Sequence, residues 1–155
     1  MKYDERLSNT LHAMLHMAHH GSPMTSELLA ICLHTNPVVV RRTMAGLREA
    51  GLVTSGRGHG GGWTVARELG SITLLDVHTA LGGSALLSPP TLSDNAGCVV
   101  EAAVKDALAE AHAAANALLA ARLAQVTLAD LAKDFTRRMV ECASHGDTHA
   151  THPHP

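Results

Sequence analysis

The sequence predicts a mainly α-helical fold with one small β-hairpin. Apolar residues recur every three to four positions over most of the chain, as they do in amphipathic helices. Two short extended runs flank a glycine cluster, an arrangement typical of a hairpin. The composition is 46 % hydrophobic but only 2 % aromatic, which favours helices rich in alanine and leucine that approach one another closely.

Three short helices are predicted in the first third of the chain. The first covers Ser8–His20, where apolar side chains have helical spacing. The second covers Thr25–Leu33 after a Gly-Ser-Pro stop. The third starts at Asn36, an N-cap residue followed by proline at the first helical position, and runs to about Ala50. Gly51 then stands where a left-handed C-terminal cap is expected.

The segment Gly56–Arg67, GRGHGGGWTVAR, admits two interpretations. Three of its glycines have the G-x-G-x-x-G spacing of a dinucleotide-binding loop. Such a loop needs a buried strand before the glycines and a helix after them. Here the extended runs Leu52–Ser55 and Trp63–Ala66 lie on either side. The context therefore favours a hairpin tip, and with three preceding helices it predicts a winged helix-turn-helix.

Three more helices complete the predicted fold. Thr73 and Asp76 come close to a capping box at the start of a fourth helix. A long dimerisation helix covers about Gly97–Gln125, with a stripe of small and apolar residues suited to packing against a second copy. The predicted parts are a winged helix-turn-helix domain over 1–83, then a loop, the long helix and a short C-terminal helix over 84–144, and a His-rich disordered tail over 145–155.

Charge is distributed unevenly along the chain, although the formal net charge is -2. Residues 36–67 contain five arginines and one glutamate, so a basic face lies on an acidic body. This pattern favours a polyanion partner over a membrane. The absence of a long apolar run or a secretory signal predicts a cytoplasmic protein. No nucleophile–base pair or paired carboxylates appear, so we do not expect an enzyme.

A winged helix-turn-helix places its third helix in the major groove of double-stranded DNA and its hairpin on the backbone or minor groove. Arg41 and Arg42 would donate to guanine or neutralise phosphate, and Val38 and Val39 would contact thymine methyl groups. Arg57 would enter the minor groove. The alternative for the paired arginines is a solvated face. The predicted DNA-binding residues are Asn36, Val38, Val39, Arg41, Arg42, Arg57 and His59.

Residues 8–140 resemble the Rrf-two (Rrf2) family of bacterial winged-helix repressors. The resemblance is carried by LHAMLHMA, TNPVVVRR, LREAGLVTSGRGHGGGWTVAR and ITLLDVHTAL. It implies a transcriptional regulator, in most members a repressor. It also implies a homodimer paired through the long helix that binds a pseudo-palindromic DNA operator. Signal-responsive cysteines are expected near the start of that helix.

The cysteines indicate how such a regulator would sense its signal. Members of the family with an iron–sulfur cluster carry three closely spaced cysteines before the long helix, whereas this chain has only Cys98 there. That difference favours a thiol-type branch without a cofactor. Cys98 lies at a helix N-terminus, where thiolate is favoured, and is the predicted redox-sensing residue. A disulfide to Cys32 of the partner subunit would couple oxidation to DNA release, although a small apolar core residue is the simpler interpretation of Cys32.

Metal-based sensing is the alternative of the same fold. An iron–sulfur cluster or a metal ion would then use Cys98 together with His12 and His34. His12 and His16 have the i, i+4 spacing that can hold a metal, but solvated histidines are the simpler interpretation. The tail HGDTHATHPHP would bind metal loosely or form a disordered surface segment.

Overall fold

The structure, a computed structural model, describes residues 5–58, 60–83, 86–87 and 99–144. Within these residues it contains six α-helices and one antiparallel β-hairpin, which confirms the predicted fold class. A short 3-10 turn at Leu69–Ser71 follows the hairpin. The elements are α1 Glu5–His20, α2 Ser26–Cys32, α3 Pro37–Glu49, β1 Val53–Ser55, β2 Trp63–Val65, α4 Leu74–Ala80, α5 Val99–Leu123 and α6 Leu128–Ser144.

Local chemistry explains where α3 begins and ends. The Asn36 side chain accepts a hydrogen bond of 2.8 Å from the backbone N–H of Val38, so Asn36 is the predicted N-cap. At the other end Gly51 has a φ of 71°. The N–H of Leu52 donates to the carbonyl of Leu47 at 2.9 Å, which completes the left-handed cap. Both predicted boundaries of the helix are therefore confirmed to within a residue.

The first helix is longer than the sequence predicted. It begins at Glu5 rather than Ser8. Leu7 lies in the added turn and packs against the core, so the apolar stripe continues toward the N-terminus. Burial of this extra side chain favours helix over the coil assigned from the polar residues around it.

One hydrophobic core joins the first four helices, the hairpin and the start of α6. Leu128, the first residue of α6, is fully buried in it. The Leu128 N–H donates to the carbonyl of Ile72 at 2.9 Å, and the Leu74 N–H donates to the carbonyl of Val126 at the same distance. The largest buried side chains are Met14, Leu29, Met44, Leu47, Leu52, Ile72, Leu128, Val53 and Val77.

Capping boxes start both α4 and α6. The Asp76 carboxylate accepts from the Thr73 N–H at 2.8 Å, while the Thr73 hydroxyl accepts from the Asp76 N–H at 3.1 Å. Thr127 and Asp130 repeat this exchange at α6. The hydrogen bond from the Thr73 backbone holds the pKa of Asp76 below its usual range. The carboxylate thus stabilises the helix start in its charged form.

The hairpin is joined to the segment before α2 as well as to itself. Val53 pairs with Val65 in the antiparallel register of β1 and β2. Met24 and Trp63 exchange two backbone hydrogen bonds of 3.1 and 2.8 Å. The indole N–H of Trp63 also donates to the Ser26 hydroxyl at 2.9 Å. These contacts hold the hairpin against the N-terminus of α2.

The long helix α5 leaves most of its surface exposed in the single chain. Leu123, its last residue, packs against the core. Farther up, the amide of Asn116 binds the backbone of Leu87, accepting from its N–H at 2.9 Å and donating to its carbonyl at 3.4 Å. No helix in the described part of the chain is long and apolar enough to cross a membrane. The large exposed apolar residues of α5 are Val100, Val104, Leu108 and Leu118.

Candidate nucleic-acid interface

The N-terminal half of α3 and its cap hold five of the seven residues that were predicted to contact DNA. Val38 and Val39 are 65 % and 53 % exposed, which is unusual for valine in a helix of a small domain. Arg41 and Arg42 follow on the next turn and are also exposed. Asn36 is exposed too, but its side-chain oxygen is engaged in capping the helix. Apolar and cationic groups therefore lie side by side at the start of one exposed helix.

Arg41 is held by a carboxylate that the sequence analysis did not single out. Its guanidinium forms an ion pair with Glu27 on α2, and both side chains are more than half exposed. The pKa of Glu27 is lowered mainly by a hydrogen bond from the backbone N–H of Glu27 itself. The positive charge of Arg41 lowers it further. The pair places a negative charge at the edge of the basic surface. Fourteen residues separate the two positions, so only the packing of α2 on α3 reveals it.

Arg42 lines a cavity of about 330 Å³ between α1 and α3. Arg6 and Asn9 reach the same cavity from α1, and Thr43 reaches it from α3. Arg6 also donates to the carbonyl of Leu81 at 3.2 Å, which ties it to the end of α4. The cavity extends the cationic surface from α3 to α1. Sequence reasoning missed Arg6 and Asn9 because they lie some thirty residues before α3 and carry no motif of their own.

The glycines of the hairpin tip are explained by backbone geometry. The N–H of Gly56 donates to the carbonyl of Gly62 at 2.9 Å, so the turn closes on itself. Gly58 has a φ of 83°, in the region that favours glycine. A Cβ added at Gly62 would lie 2.8 Å from the carbonyl of Met24, closer than real Cβ atoms approach. This arrangement confirms the hairpin interpretation over the dinucleotide loop.

Arginines of the basic segment have different surroundings. Arg57 is exposed at the hairpin tip. Arg48 donates to the Ser55 hydroxyl at 3.5 Å and links α3 to β1. Arg67 donates to the carbonyl of Ser71 at 3.0 Å. Two of the five arginines thus hold parts of the fold together, which leaves Arg41, Arg42 and Arg57 as the better-placed candidates for DNA contact. His59, the remaining predicted contact, lies outside the described residues.

The structure describes one of the two predicted sensing residues, Cys32. Cys98 lies outside the described residues. Cys32, at the end of α2, is a free thiol that is half-buried against the core. Its environment suits a small apolar side chain, the alternative given for it above. The disulfide between Cys32 and Cys98 stays a prediction.

The described residues assemble no complete metal site. They contain no group of three or more His, Cys, Asp or Glu side chains positioned to hold an ion. His12 lies on α1 beside His16, whereas His34 lies in the turn after α2 with a φ of 49°. The third candidate ligand, Cys98, falls outside the described ranges. Cys32 is a free thiol, and no set of cluster ligands is found within the described residues.

Comparison with known proteins adds evidence that is independent of this geometry. A sequence profile of the Rrf2 family, described as "Iron-dependent Transcriptional regulator", matches residues 3–134. The Bacillus subtilis (strain 168) protein named "Putative HTH-type transcriptional regulator YwnA" is 29 % identical over 128 residues, which cover 83 % of this chain and 95 % of that protein.

Solved structures give the same result. CymR (YrzC), the global cysteine regulator of B. subtilis, is 25 % identical with a TM-score of 0.57, over 86 % of this chain and 97 % of CymR. IscR of T. potens is 25 % identical with a TM-score of 0.58, over 86 % and 88 % of the two chains. The matched profile spans most of the chain, and the winged helix-turn-helix architecture agrees with it. The chain therefore belongs to the Rrf2 family of DNA-binding transcriptional regulators.

Proposed function

We propose that this protein is a homodimeric, sequence-specific repressor that binds a pseudo-palindromic operator in double-stranded DNA. The observation that carries the proposal is the exposed start of α3, where two valines and two arginines lie on a helix capped by Asn36. Valine side chains exposed to water are not stabilised by burial, whereas contact with thymine methyl groups in the major groove would bury them. Its DNA target would place the protein in the cytoplasm, and no enzymatic activity forms part of the proposal.

Arg42 and Arg57 have distinct roles in the proposed complex. Arg42 would contact a base or phosphate from α3, and Arg57 would reach the minor groove from the hairpin. Arg6 and Asn9, which share the cavity with Arg42, would sit close to the DNA backbone. Backbone contacts set the position of the protein, while base contacts set its sequence preference.

DNA binding is tested by footprinting on the upstream region of its own gene, followed by fluorescence anisotropy on the protected sequence. Arg42→Ala and Arg57→Ala should each weaken binding by roughly 5- to 150-fold, corresponding to about 1–3 kcal/mol for a base contact. Lys133→Ala, which removes an exposed cation from α6, is the matched control and should leave affinity unchanged. Equal losses in all three variants would show that affinity follows net charge, not this surface.

Redox sensing is the proposed input. Oxidation would join the Cys98 thiol to Cys32 of the partner subunit, with loss of two electrons and two protons to an oxidant such as diamide. The new S–S bond would shift the two DNA-reading helices and release the operator. Oxidant should therefore lower operator affinity and produce a dimer band on non-reducing gels, and Cys98→Ser should abolish both effects. Retained sensitivity in Cys98→Ser would exclude this thiol as the sensor.

An iron-responsive regulator is the second candidate, favoured by the description of the matched family. Cys98 with His12 and His34 would then supply ligands. The two candidates differ in the visible absorption spectrum of protein purified without oxygen. A charge-transfer band between sulfur and iron would support the cluster, whereas a colourless protein that binds the operator would support the thiol.

A further inference from the structure

Four histidines lie on α1, and two of them face each other across one helical turn. The Nε2 atoms of His12 and His16 are 2.9 Å apart. Their ring centroids are 4.6 Å apart, with the ring planes tilted by 41°. Residues at i and i+4 lie one above the other on a helix, so the backbone itself holds this arrangement. Two ligating nitrogens are therefore already directed at a common point.

The distance between the nitrogens is informative about what they can hold. Two neutral imidazoles at this separation share one proton in a hydrogen bond. When the donating ring takes its other tautomer, with the proton on Nδ1, both Nε2 lone pairs can bind one cation. With bonds of about 2.0–2.1 Å from histidine nitrogen to a metal, a separation of 2.9 Å subtends about 90° at the ion. This is the angle between neighbouring ligands in square-planar or octahedral coordination, whereas tetrahedral zinc needs a wider one.

The other two histidines of α1 are engaged elsewhere. The ring of His19 packs edge-on against Phe135 of α6 at 5.8 Å. The Nδ1 atom of His20 lies 2.7 Å from the Ser22 hydroxyl. His12 is exposed, so an ion held by the pair would remain open to water. No third His, Cys, Asp or Glu in the described part of the chain joins the pair, which leaves the other coordination positions to water.

The surroundings of His16 favour its neutral, ligating form. It is half-buried, and burial is the main cause that lowers its pKa, followed by repulsion from His12 and His19. A histidine binds a metal in its neutral form, and the lowered pKa of His16 favours that form.

We propose that His12 and His16 form a bidentate surface site on α1 for a divalent cation of tetragonal preference, Ni(II) or Cu(II). Nitrogen ligands with 90° angles suit these ions, and Cu(II) and Ni(II) stand high in the general affinity order. A bound ion cross-links one turn of α1, and α1 packs against β2, α4 and α6. Binding should therefore stabilise the whole domain. The proposal does not use Cys98 and does not depend on the proposed DNA function.

Ni(II) is the probe for the test, because thiols do not reduce it. The full chain carries alanine in place of the four tail histidines, 145, 149, 152 and 154, since these would compete for metal. His12→Ala and His16→Ala are compared with His20→Ala, which removes a histidine of the same helix outside the pair. Affinity is measured by titration calorimetry, and stability by thermal unfolding with and without Ni(II).

We expect His12→Ala and His16→Ala each to lower Ni(II) affinity at least tenfold and to abolish the rise in Tm with Ni(II). His20→Ala should keep both, and Zn(II) should bind more weakly than Ni(II). Because His12 is exposed, His12→Ala should fold and therefore tests the site even if His16→Ala does not fold. Ni(II) affinity and Tm shift retained in His12→Ala would overturn the site, and tighter binding of Zn(II) would overturn the geometric argument.

Discussion

Arg41 acquires a partner in the structure that changes how its role is understood. The sequence presents it as one of two adjacent arginines, whereas the structure pairs it with Glu27. Exposed ion pairs contribute little to the free energy of folding. A DNA phosphate or guanine can therefore replace Glu27 at small cost. In the proposed complex the carboxylate would stand beside the DNA and repel wrongly placed phosphates, which would lower non-specific affinity.

Glu27→Gln should strengthen binding to random DNA several-fold. It should therefore reduce the ratio of the affinity for operator DNA to the affinity for random DNA. The substitution keeps the size of the side chain but removes its charge, so repulsion of phosphate is lost while α2 is preserved. Anisotropy titrations on both DNAs at two salt concentrations measure the change. Glu110→Gln on α5 removes the same charge from another exposed helix and should change neither affinity. If both variants reduced this affinity ratio, the effect would be explained by the net charge of the protein and not by the position of Glu27.

His16 makes stability depend on pH in a predictable direction. Its pKa in the folded protein lies below 6.5, mainly because of burial. Between the folded pKa and 6.5 the unfolded chain binds more protons, so stability rises with pH across this window and is lost as pH falls through it. In chelator-treated protein, urea midpoints measured from pH 8 to pH 5.5 should fall on acidification. His16→Gln should flatten the decrease, and His20→Gln should retain it.

At the scale of elements, the hairpin depends on glycines whose side chains are absent for different reasons, as Gly58 and Gly62 show. At Gly58 a side chain would be strained because the residue has a positive φ. At Gly62 a side chain would clash with the backbone of Met24. Met24 pairs with Trp63 through two backbone hydrogen bonds, so any side chain at Gly62 separates the hairpin from the segment before α2. The glycine-rich sequence therefore reflects close packing of backbone on backbone.

Gly62→Ala should destabilise the protein by about 1–3 kcal/mol, the usual cost of overpacking, because the new methyl group meets the Met24 backbone at 2.8 Å. Gly56→Ala is the matched control, since its Cβ would lie 3.5 Å from the nearest atom, an ordinary contact. Urea denaturation gives both values. DNA affinity should fall in Gly62→Ala because the hairpin is displaced. Equal stability of the two variants would mean that the hairpin is not held through Met24.

For the whole molecule, α5 is the element whose environment is incomplete in one chain. Leu118 is 75 % exposed and Val100 is 71 % exposed on the same stripe. Exposed apolar stripes of this length commonly mark protein–protein contacts. Pairing of two such helices would bury the stripe and set the spacing between two DNA-reading heads, about 34–36 Å for half-sites one turn apart. The homodimer remains a proposal.

Leu118→Glu should shift the protein toward monomers and weaken operator binding, because a buried unpaired charge at the interface is costly. Light scattering coupled to size exclusion, over a range of concentrations, measures the shift. Ala113→Glu places the same charge on the opposite, exposed face of α5 and should leave the assembly intact. A monomer that forms in both variants, or in neither, would argue against pairing through the stripe.

Most of the fold could be predicted because its signals are local. Asn36-Pro37 starts α3, Gly51 ends it, and Thr73 with Asp76 starts α4. These caps act between residues no more than four or five apart, so they are readable in order along the chain. The start of α1 was predicted three residues late because its first turn is polar apart from Leu7 and depends on Leu7 packing.

Periodicity, caps and charge are properties of neighbouring residues, so the order of the helices and the hairpin could be predicted from the sequence, and arginines 41, 42 and 57 could be proposed as DNA contacts. Which distant groups meet was visible in the folded chain alone. It brought Glu27 to Arg41, joined Arg6 to the cavity of Arg42, and assigned Arg48 and Arg67 to structural bonds. Such contacts depend on how helices pack across the core, and that packing is set by the summed burial of many side chains and not by any local motif.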